Sequence, residues 1–134
     1  MKIEFTVPGQ PVAKARPRVT KRGFTYTPKK TVNYENWVKE CYYTQNKDKR
    51  LNGQIRAKIR AYFSIPKSTS KKKRNEIIAG DIRPTKKPDT DNIAKIILDS
   101  LNTIAYDDDK QVIFLQIEKF YSAIPRIEVE LEGE

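Results

Sequence analysis

Residues 89–112 read DTDNIAKIILDSLNTIAYDDDKQV and contain six of the eight aspartates in the chain. At about 100° per residue, the spacing predicts a helix over Asp91–Ile104 whose polar side chains share one arc about 100° wide. That arc consists of Asp91, Asn92, Lys95, Asp99 and Asn102, and the opposite side consists of Ile93, Ile96, Ile97, Leu101 and Ile104. The predicted helix therefore buries one side and presents carboxylates on the other.

Alternation of apolar and polar residues predicts strands before and after this helix in the sequence. After it come Gln111–Tyr121, with Ile113, Leu115 and Ile117 on one face, and Arg126–Leu131, in which glutamates alternate with apolar residues. The other predicted elements are, in chain order, a strand at Ile3–Val7, a hairpin at Val19–Thr27, a helix at Pro28–Gln45, a strand at Ile55–Phe63 and a short helix at Ser70–Ala79. Together they predict an α+β fold, a small single domain over residues 1–134 with two to three helices packed on a mixed or antiparallel sheet.

Apolar residues also recur every three or four positions in the helix predicted at residues 28–45. They are Tyr34, Trp37, Val38, Cys41 and Tyr42. This spacing is typical of a helix that packs against a core, so we predict that all five side chains are core residues.

The residue types that are scarce exclude several classes of protein. With no histidine and one cysteine among 134 residues, Ser-His-Asp triads, cysteine-rich zinc sites and internal disulfides are excluded. No run approaches the roughly eighteen apolar residues of a membrane span, and the first residues lack the apolar core of a signal peptide. We expect a soluble cytoplasmic domain that uses neither a membrane nor a small-molecule cofactor.

Basic residues dominate the first two thirds of the chain. Lys and Arg total 27 against 17 acidic residues, a net charge of +10. Residues 1–88 carry 23 basic and 6 acidic residues, whereas residues 89–134 carry 4 and 11. A basic surface of this size favours a nucleic-acid partner. The candidate DNA-binding residues are Lys14, Arg16, Arg18, Lys29, Lys30, Lys72 and Lys73.

The grouped aspartates in this basic protein predict a metal site. Packed like charges repel one another unless a cation binds among them. Oxygen ligands without histidine or cysteine suit Mg²⁺ or Mn²⁺ better than zinc. Beside DNA, such an ion polarises a phosphodiester oxygen and lowers the pKa of an attacking water. Lys95, one turn after Asp91, is placed to stabilise the transition state, so the predicted reaction is metal-dependent phosphodiester hydrolysis.

Each of these residues also has a purely structural interpretation. Asp91 is a suitable helix N-cap, and Asp89 would interact favourably with the helix dipole. Asp107–Asp109 is typical of a solvated turn, and Asp99 is expected to pair with Lys95 four residues before it. We interpret Asp99 as structural and take the remaining acidic residues together with Lys95 as the candidate active site.

Two blocks of the sequence resemble a known family. The segment KPDTDNIAKIILDSLN at residues 87–102, followed by YDDDKQV at 106–112, resembles the signature of RusA-type Holliday junction resolvases. The segments PGQPVAKARPR at 8–18 and YTPKKT at 26–31 resemble the phage branch of that family. The resemblance spans roughly residues 3–120, and its 89–112 block is the most specific part.

The resemblance implies a homodimeric, often prophage-encoded endodeoxyribonuclease that uses Mg²⁺ or Mn²⁺ to place paired symmetric nicks in a four-way DNA junction. Carried over by motif position, the catalytic residues are Asp89, Asp91, Lys95 and Asp109. The implied metal ligands are Asp89, Asp91, Asp108 and Asp109. Asp107 is extra to the pattern, and Pro88 stands where some members carry a basic residue.

Two other functions are compatible with the sequence. A duplex nuclease of the PD-(D/E)xK class is suggested by Pro88-Asp89 and Asp108-Asp109-Lys110, but that class carries its motif on adjacent strands. A non-catalytic basic DNA-binding protein would use the same carboxylates only for structure.

Overall fold

A computed structural model describes residues 1–15 and 17–134, so the DNA-binding prediction for Arg16 lies outside the described residues. In chain order the elements are β1 (Lys2–Pro8), β2 (Arg18–Val19), β3 (Thr25–Tyr26), α1 (Lys29–Asn46), β4 (Ile55–Ser64), α2 (Lys71–Ile78), α3 (Thr90–Ser100), a 3₁₀ turn (Asp109–Gln111), β5 (Val112–Ser122) and β6 (Arg126–Glu132). Every strand and helix predicted from the sequence is present.

The main sheet has the strand order β1-β6-β4-β5. The β1–β6 and β6–β4 pairs are antiparallel, whereas β4 and β5 are parallel. Strands β2 and β3 form a separate two-stranded hairpin. This mixed sheet with three helices confirms the predicted α+β class.

One face of the sheet forms the core. Its buried side chains alternate along β1, β4 and β6, as the sequence pattern requires of strands covered on one side. Helices α1 and α3 cover this face and pack against each other. In α3 the side chains of Ile93, Ile96 and Ile97 are completely buried. The core therefore fixes both the position and the rotation of α3.

Side chains of α1 cover the free edge of β1. The Gln45 amide accepts a hydrogen bond from the Thr6 backbone N–H at 2.8 Å and donates one to its carbonyl at 2.7 Å. The Trp37 indole N–H donates to the Pro8 carbonyl at 3.0 Å. Trp37 remains 39% exposed, so its prediction as a core residue is wrong: its indole reaches the edge of the sheet instead of the interior. The other four residues of that stripe are buried.

Helix α3 ends earlier than its apolar spacing predicts. The helix was expected over Asp91–Ile104 but spans Thr90–Ser100. Thr103 has a φ of 66°, which turns the backbone away from the helical path. The Tyr106 hydroxyl then donates to the Leu98 carbonyl at 2.7 Å and holds the returning chain against the last turn.

None of the helices in the described ranges 1–15 and 17–134 combines the length and apolar character that crossing a membrane requires.

Two buried tyrosines provide a matched test of this packing. Tyr106 is fully buried and donates to Leu98, whereas the Tyr34 hydroxyl is buried with no hydrogen-bond partner among the described residues. We expect Tyr106→Phe to lower the free energy of unfolding by about 1 kcal/mol, and Tyr34→Phe to leave it unchanged or raise it. Urea unfolding of both variants measures the difference, and equal losses would contradict this assignment of the two hydroxyls.

Candidate active site

The first two predicted catalytic aspartates lie at the start of α3. Asp89 is the N-cap residue, and its carbonyl accepts the first helical hydrogen bond, from the Ile93 N–H at 3.0 Å. Its carboxylate makes no capping hydrogen bond. Asp91 lies in the first turn, so the structural interpretation of Asp91 as the N-cap is wrong: the helix begins one residue earlier than predicted. Both residues are exposed, and within the described part of the chain neither forms an ion pair.

Two turns further along α3, the Asp99 carboxylate is shared by two lysines. Its Oδ2 lies 3.6 Å from Lys95 Nζ, which confirms the predicted i,i+4 pair. The same oxygen lies 3.3 Å from Lys14 Nζ, and Lys14 also donates to Glu35 Oε2 at 3.0 Å. These contacts join the loop after β1, helix α1 and helix α3 at one point.

The ammonium of Lys14 is held in this cluster. Burial alone would lower the pKa of Lys14, but the hydrogen bonds and charges of Glu35 and Asp99 outweigh burial and raise it. Its side chain is only 20% exposed. The structure therefore places Lys14, which was predicted to bind DNA, against carboxylates of its own chain.

The second acidic segment lies next to Asp99. The Asp109 N–H donates to Asn102 Oδ1 at 2.8 Å, and the Asp108 carboxylate caps the 3₁₀ turn by accepting from the Lys110 N–H at 2.9 Å. Burial raises the pKa of Asp109, and the nearby carboxyls of Asp99 and Asp108 raise it further. The Lys110 N–H instead lowers the pKa of Asp108. Two carboxyls adjacent in sequence are thus held in different environments.

Asp107 points away from this group. Its side chain is 85% exposed and pairs with Arg50, which also donates to the Thr103 carbonyl at 3.0 Å. Asp107 is also the residue that is extra to the sequence motif. Within the triplet, Asp107 is therefore a surface ion-pair residue, whereas Asp108 and Asp109 belong to the acidic group beside Asp99.

The candidate site is divided along α3. Asp91 and Asp99 are eight residues apart, an axial rise of about 12 Å, and Asp109 lies beside the second of them. Lys95 lies midway between the two ends. Across residues 1–15 and 17–134, no three or more His, Cys, Asp or Glu side chains converge on a metal position.

The donor set nevertheless fits a hard divalent ion. Mg²⁺ is usually bound by one or two carboxylates together with waters and substrate phosphates, not by a complete cage of protein ligands. Asp89 and Asp91 supply two exposed carboxylates that are not engaged in capping or ion pairs among the described residues. Oxygen donors without thiolate or imidazole nearby match the chemistry of that ion.

A basic groove reaches the start of α3. Its volume is about 380 Å³, and Arg18, Lys30, Lys87 and Pro88 are among the residues that line it. Asp89 directly follows Pro88 in the chain. Lys29 is exposed next to the groove, whereas Lys72 and Lys73 are exposed on α2 and do not line it. The groove therefore brings two predicted DNA-binding residues, Arg18 and Lys30, close to the first catalytic candidate.

A larger cavity of about 430 Å³ lies on the outer face of the sheet and contains no predicted site residue. Its charged side chains pair with one another, as in Lys58–Glu130 at 4.0 Å and Arg60–Glu128 at 3.7 Å. We assign it no part in the chemistry.

The sequence assigned no site role to Glu35 or Asn102. Asn102 lies on the predicted polar arc, and in the structure its Oδ1 accepts a hydrogen bond from the Asp109 N–H. No acidic residue occurs from Phe5 to Tyr34, and Glu35 directly follows this stretch. That position is the sequence feature that could have identified Glu35 as a partner for a basic residue.

The chain is similar to a known protein family and to a protein of a bacterium. Residues 8–132 match the family model described as Endodeoxyribonuclease RusA. A protein of Bacillus subtilis (strain 168), named "Uncharacterized protein YqaN", is 39% identical over 132 residues, covering 95% of this chain and 93% of that relative. The family match includes all the candidate site residues.

The Lys14 cluster generates a pH-dependent prediction. Because the folded-state pKa of Lys14 is raised, its contribution to stability is present below the ordinary value of 10.5 and is lost as the pH rises through the folded value. We expect Lys14→Met to lower the free energy of unfolding by about 1–3 kcal/mol at pH 7–9, and by less above about pH 10.5.

The control is Lys39→Met, because Lys39 lies on the same helix as Glu35 and forms no ion pair with the described residues. Urea unfolding at several pH values measures both variants. A loss for Lys14→Met that is no larger than the control, or that grows with pH, would contradict the assignment.

Proposed function

The chain belongs to the RusA endodeoxyribonuclease family, and we propose that it resolves four-way (Holliday) DNA junctions by paired symmetric nicks in a Mg²⁺- or Mn²⁺-dependent reaction. The observation that carries this proposal is the position of Asp89 and Asp91 at the start of α3, directly after Pro88, which lines the basic groove. Both carboxylates are exposed, and among the described residues neither forms an ion pair, so they are accessible to a ligand.

In this proposal divalent ions bind at the acidic residues of both ends of α3. The proposed ligands are Asp89 and Asp91 at its start, and Asp108 and Asp109 beside its end. These two pairs are too far apart along the helix for one ion to contact both. When bound, the divalent ion supplies Lewis-acid polarisation of the phosphodiester and a water of lowered pKa.

Lys95 is the proposed electrostatic catalyst. Its side chain is 61% exposed, and Asp99 holds its ammonium from one turn further along the helix, at 3.6 Å. Lys95 itself lies between Asp91 and Asp99 in the sequence of α3. A fixed cation at that place would stabilise the charge that develops on the phosphate as the bond to the leaving oxygen breaks.

The basic groove is the proposed path of the DNA backbone. Arg18 presents a planar guanidinium that can contact a phosphate with two hydrogen bonds, and Lys30 and Lys87 add charge along the groove toward Asp89. We include Arg16, Lys29, Lys72 and Lys73 as further backbone contacts. Lys14 instead supports the site through Asp99 and Glu35.

We further propose that the active form is a homodimer assembled through the outer edge of β5. This strand ends the sheet, and within the described residues no strand pairs with its outer edge. Ile113 and Leu115 on it are 59% and 44% exposed. Pairing of two such edges around a two-fold axis would bury these side chains, and a two-fold dimer matches the symmetry of a junction that needs two nicks.

The structure disfavours the duplex-nuclease alternative. In that class the motif carboxylates and lysine lie on adjacent strands, whereas here Asp89 and Lys95 belong to the start and middle of a helix. Asp108 and Asp109 belong to a 3₁₀ turn before β5. A non-catalytic DNA-binding protein is the remaining alternative, and loss-of-cleavage variants separate it from the proposal.

We expect Asp91→Asn and Lys95→Met each to slow junction cleavage in Mg²⁺ by more than about 100-fold, because each removes a group that acts on the reacting phosphate. Junction binding in EDTA is expected to be retained or tighter for Asp91→Asn, since a negative charge near phosphate is removed. The matched control is Asp107→Asn, which alters an exposed aspartate that pairs with Arg50 and is not a proposed site residue, and it should cleave like the wild type. Unchanged cleavage by Asp91→Asn would contradict the proposal.

The dimer is tested by Leu115→Glu, which places a charge on the exposed part of β5. Sedimentation velocity should show a mass near twice the 15.6 kDa of the chain for the wild type and near once that value for the variant. Val32→Glu on α1, at a side chain that is 39% exposed on a helix that packs on β1 and α3, is the control and should remain dimeric. A monomeric wild type, or dissociation by the control alone, would reject this interface.

A further inference from the structure

The β2–β3 hairpin exposes three apolar side chains. Phe24 is 69% exposed, Val19 66% and Tyr26 48%. All three lie within nine consecutive residues, Arg18–Tyr26, in which no side chain is buried. Tyr26 pairs with Arg18, so these two share one face, and Val19 lies on the other face with Thr25. Exposed aromatic side chains on a short hairpin commonly mark a contact with a partner.

The shape of this hairpin does not depend on Phe24. The Thr20 N–H donates to the Phe24 carbonyl at 2.7 Å, the Phe24 N–H donates to Thr20 Oγ1 at 3.1 Å, and the Gly23 N–H donates to the Thr20 carbonyl at 3.0 Å. Gly23 supplies the positive φ of 84° that the turn needs. These contacts use the backbone at position 24, and the Phe24 side chain is 69% exposed, so packing among the described residues does not require an aromatic side chain there.

The charge around the hairpin selects the class of partner. Arg18, Lys21 and Arg22 lie within it, and no acidic residue occurs from Phe5 to Tyr34. Arg18 also lines the groove that reaches Asp89. A polyanion that also offers flat apolar faces fits this surface, and nucleic acid with unstacked bases combines both properties.

We propose that the hairpin is a base-stacking element, in which Phe24 and Tyr26 stack on unstacked or unpaired bases while Lys21 and Arg22 contact the flanking phosphates. In linear duplex the base faces are covered by neighbouring pairs, whereas at a branch point they are accessible. The hairpin would thus favour branched over linear DNA. The inference rests on the proposed function and adds a source of its substrate selectivity.

The test measures binding in EDTA, so that it does not depend on cleavage. Phe24→Ala is compared with the wild type on a four-way junction, on a duplex with one unpaired base, and on linear duplex of the same sequence. We expect Phe24→Ala to weaken binding to the first two by about tenfold and to leave linear duplex binding unchanged. Phe24→Trp should restore the preference, because the indole also stacks.

The control is Ile124→Ala, which removes an equally exposed apolar side chain from the β5–β6 turn, outside the hairpin, and should not alter binding. Thermal unfolding of each variant establishes that the fold is retained. Equal losses on all three DNAs, or no loss for Phe24→Ala, would overturn the inference. Wild-type cleavage in Mg²⁺, measured on the same preparations, separates its failure from failure of the proposed nuclease activity.

Discussion

Helix α3 must bury one side completely while keeping the carboxylates of the other side in water, and the rest of the molecule is arranged around that requirement. Ile93, Ile96 and Ile97 have no exposed surface, so the helix cannot rotate without opening the core. Rotation fixed in this way directs Asp91 and Lys95 outward. The positions of the candidate site residues on α3 are therefore fixed by core packing on the opposite side of the same helix.

Charge is distributed in a way that serves the same site. Carboxylates clustered in isolation would repel one another, but Lys14 and Lys95 both lie within ion-pair distance of Asp99. At the start of α3, by contrast, Asp89 and Asp91 have no such partner among the described residues. The Asp99 carboxylate is thus neutralised from within the chain, whereas the carboxylates of Asp89 and Asp91 are ones that we propose to bind a cation beside the phosphates of DNA.

Much of this arrangement could be predicted from the sequence. Apolar residues recur every three or four positions in α3, which is typical of a helix, and every second position in β4 and β6, which is typical of a strand. The errors arose where tertiary contacts override local spacing. Trp37 follows the helical repeat of α1 but hydrogen-bonds to the edge of β1. The periodic pattern of α3 extends to Ile104, yet Thr103 adopts a positive φ and the helix has already ended.

The candidate site shows the same limit. The motif identifies Asp89, Asp91, Lys95 and the later aspartates, because it is defined by their spacing in the sequence and can be recognised before the fold is known. No spacing relates Lys14 or Glu35 to Asp99, since those contacts join residues that are distant in sequence and meet only when α1 packs against α3. The sequence can thus identify the candidate catalytic residues more readily than the residues that contact and position them.

We propose that this chain is a metal-dependent nuclease selective for branched DNA. The most direct test is to incubate the wild-type protein with a labelled four-way junction and with linear duplex of the same sequence, each with Mg²⁺ and with EDTA. We expect paired symmetric nicks in the junction alone, and only with Mg²⁺. Binding without cleavage in any divalent ion, or equal cleavage of the duplex, would contradict the proposed nuclease activity.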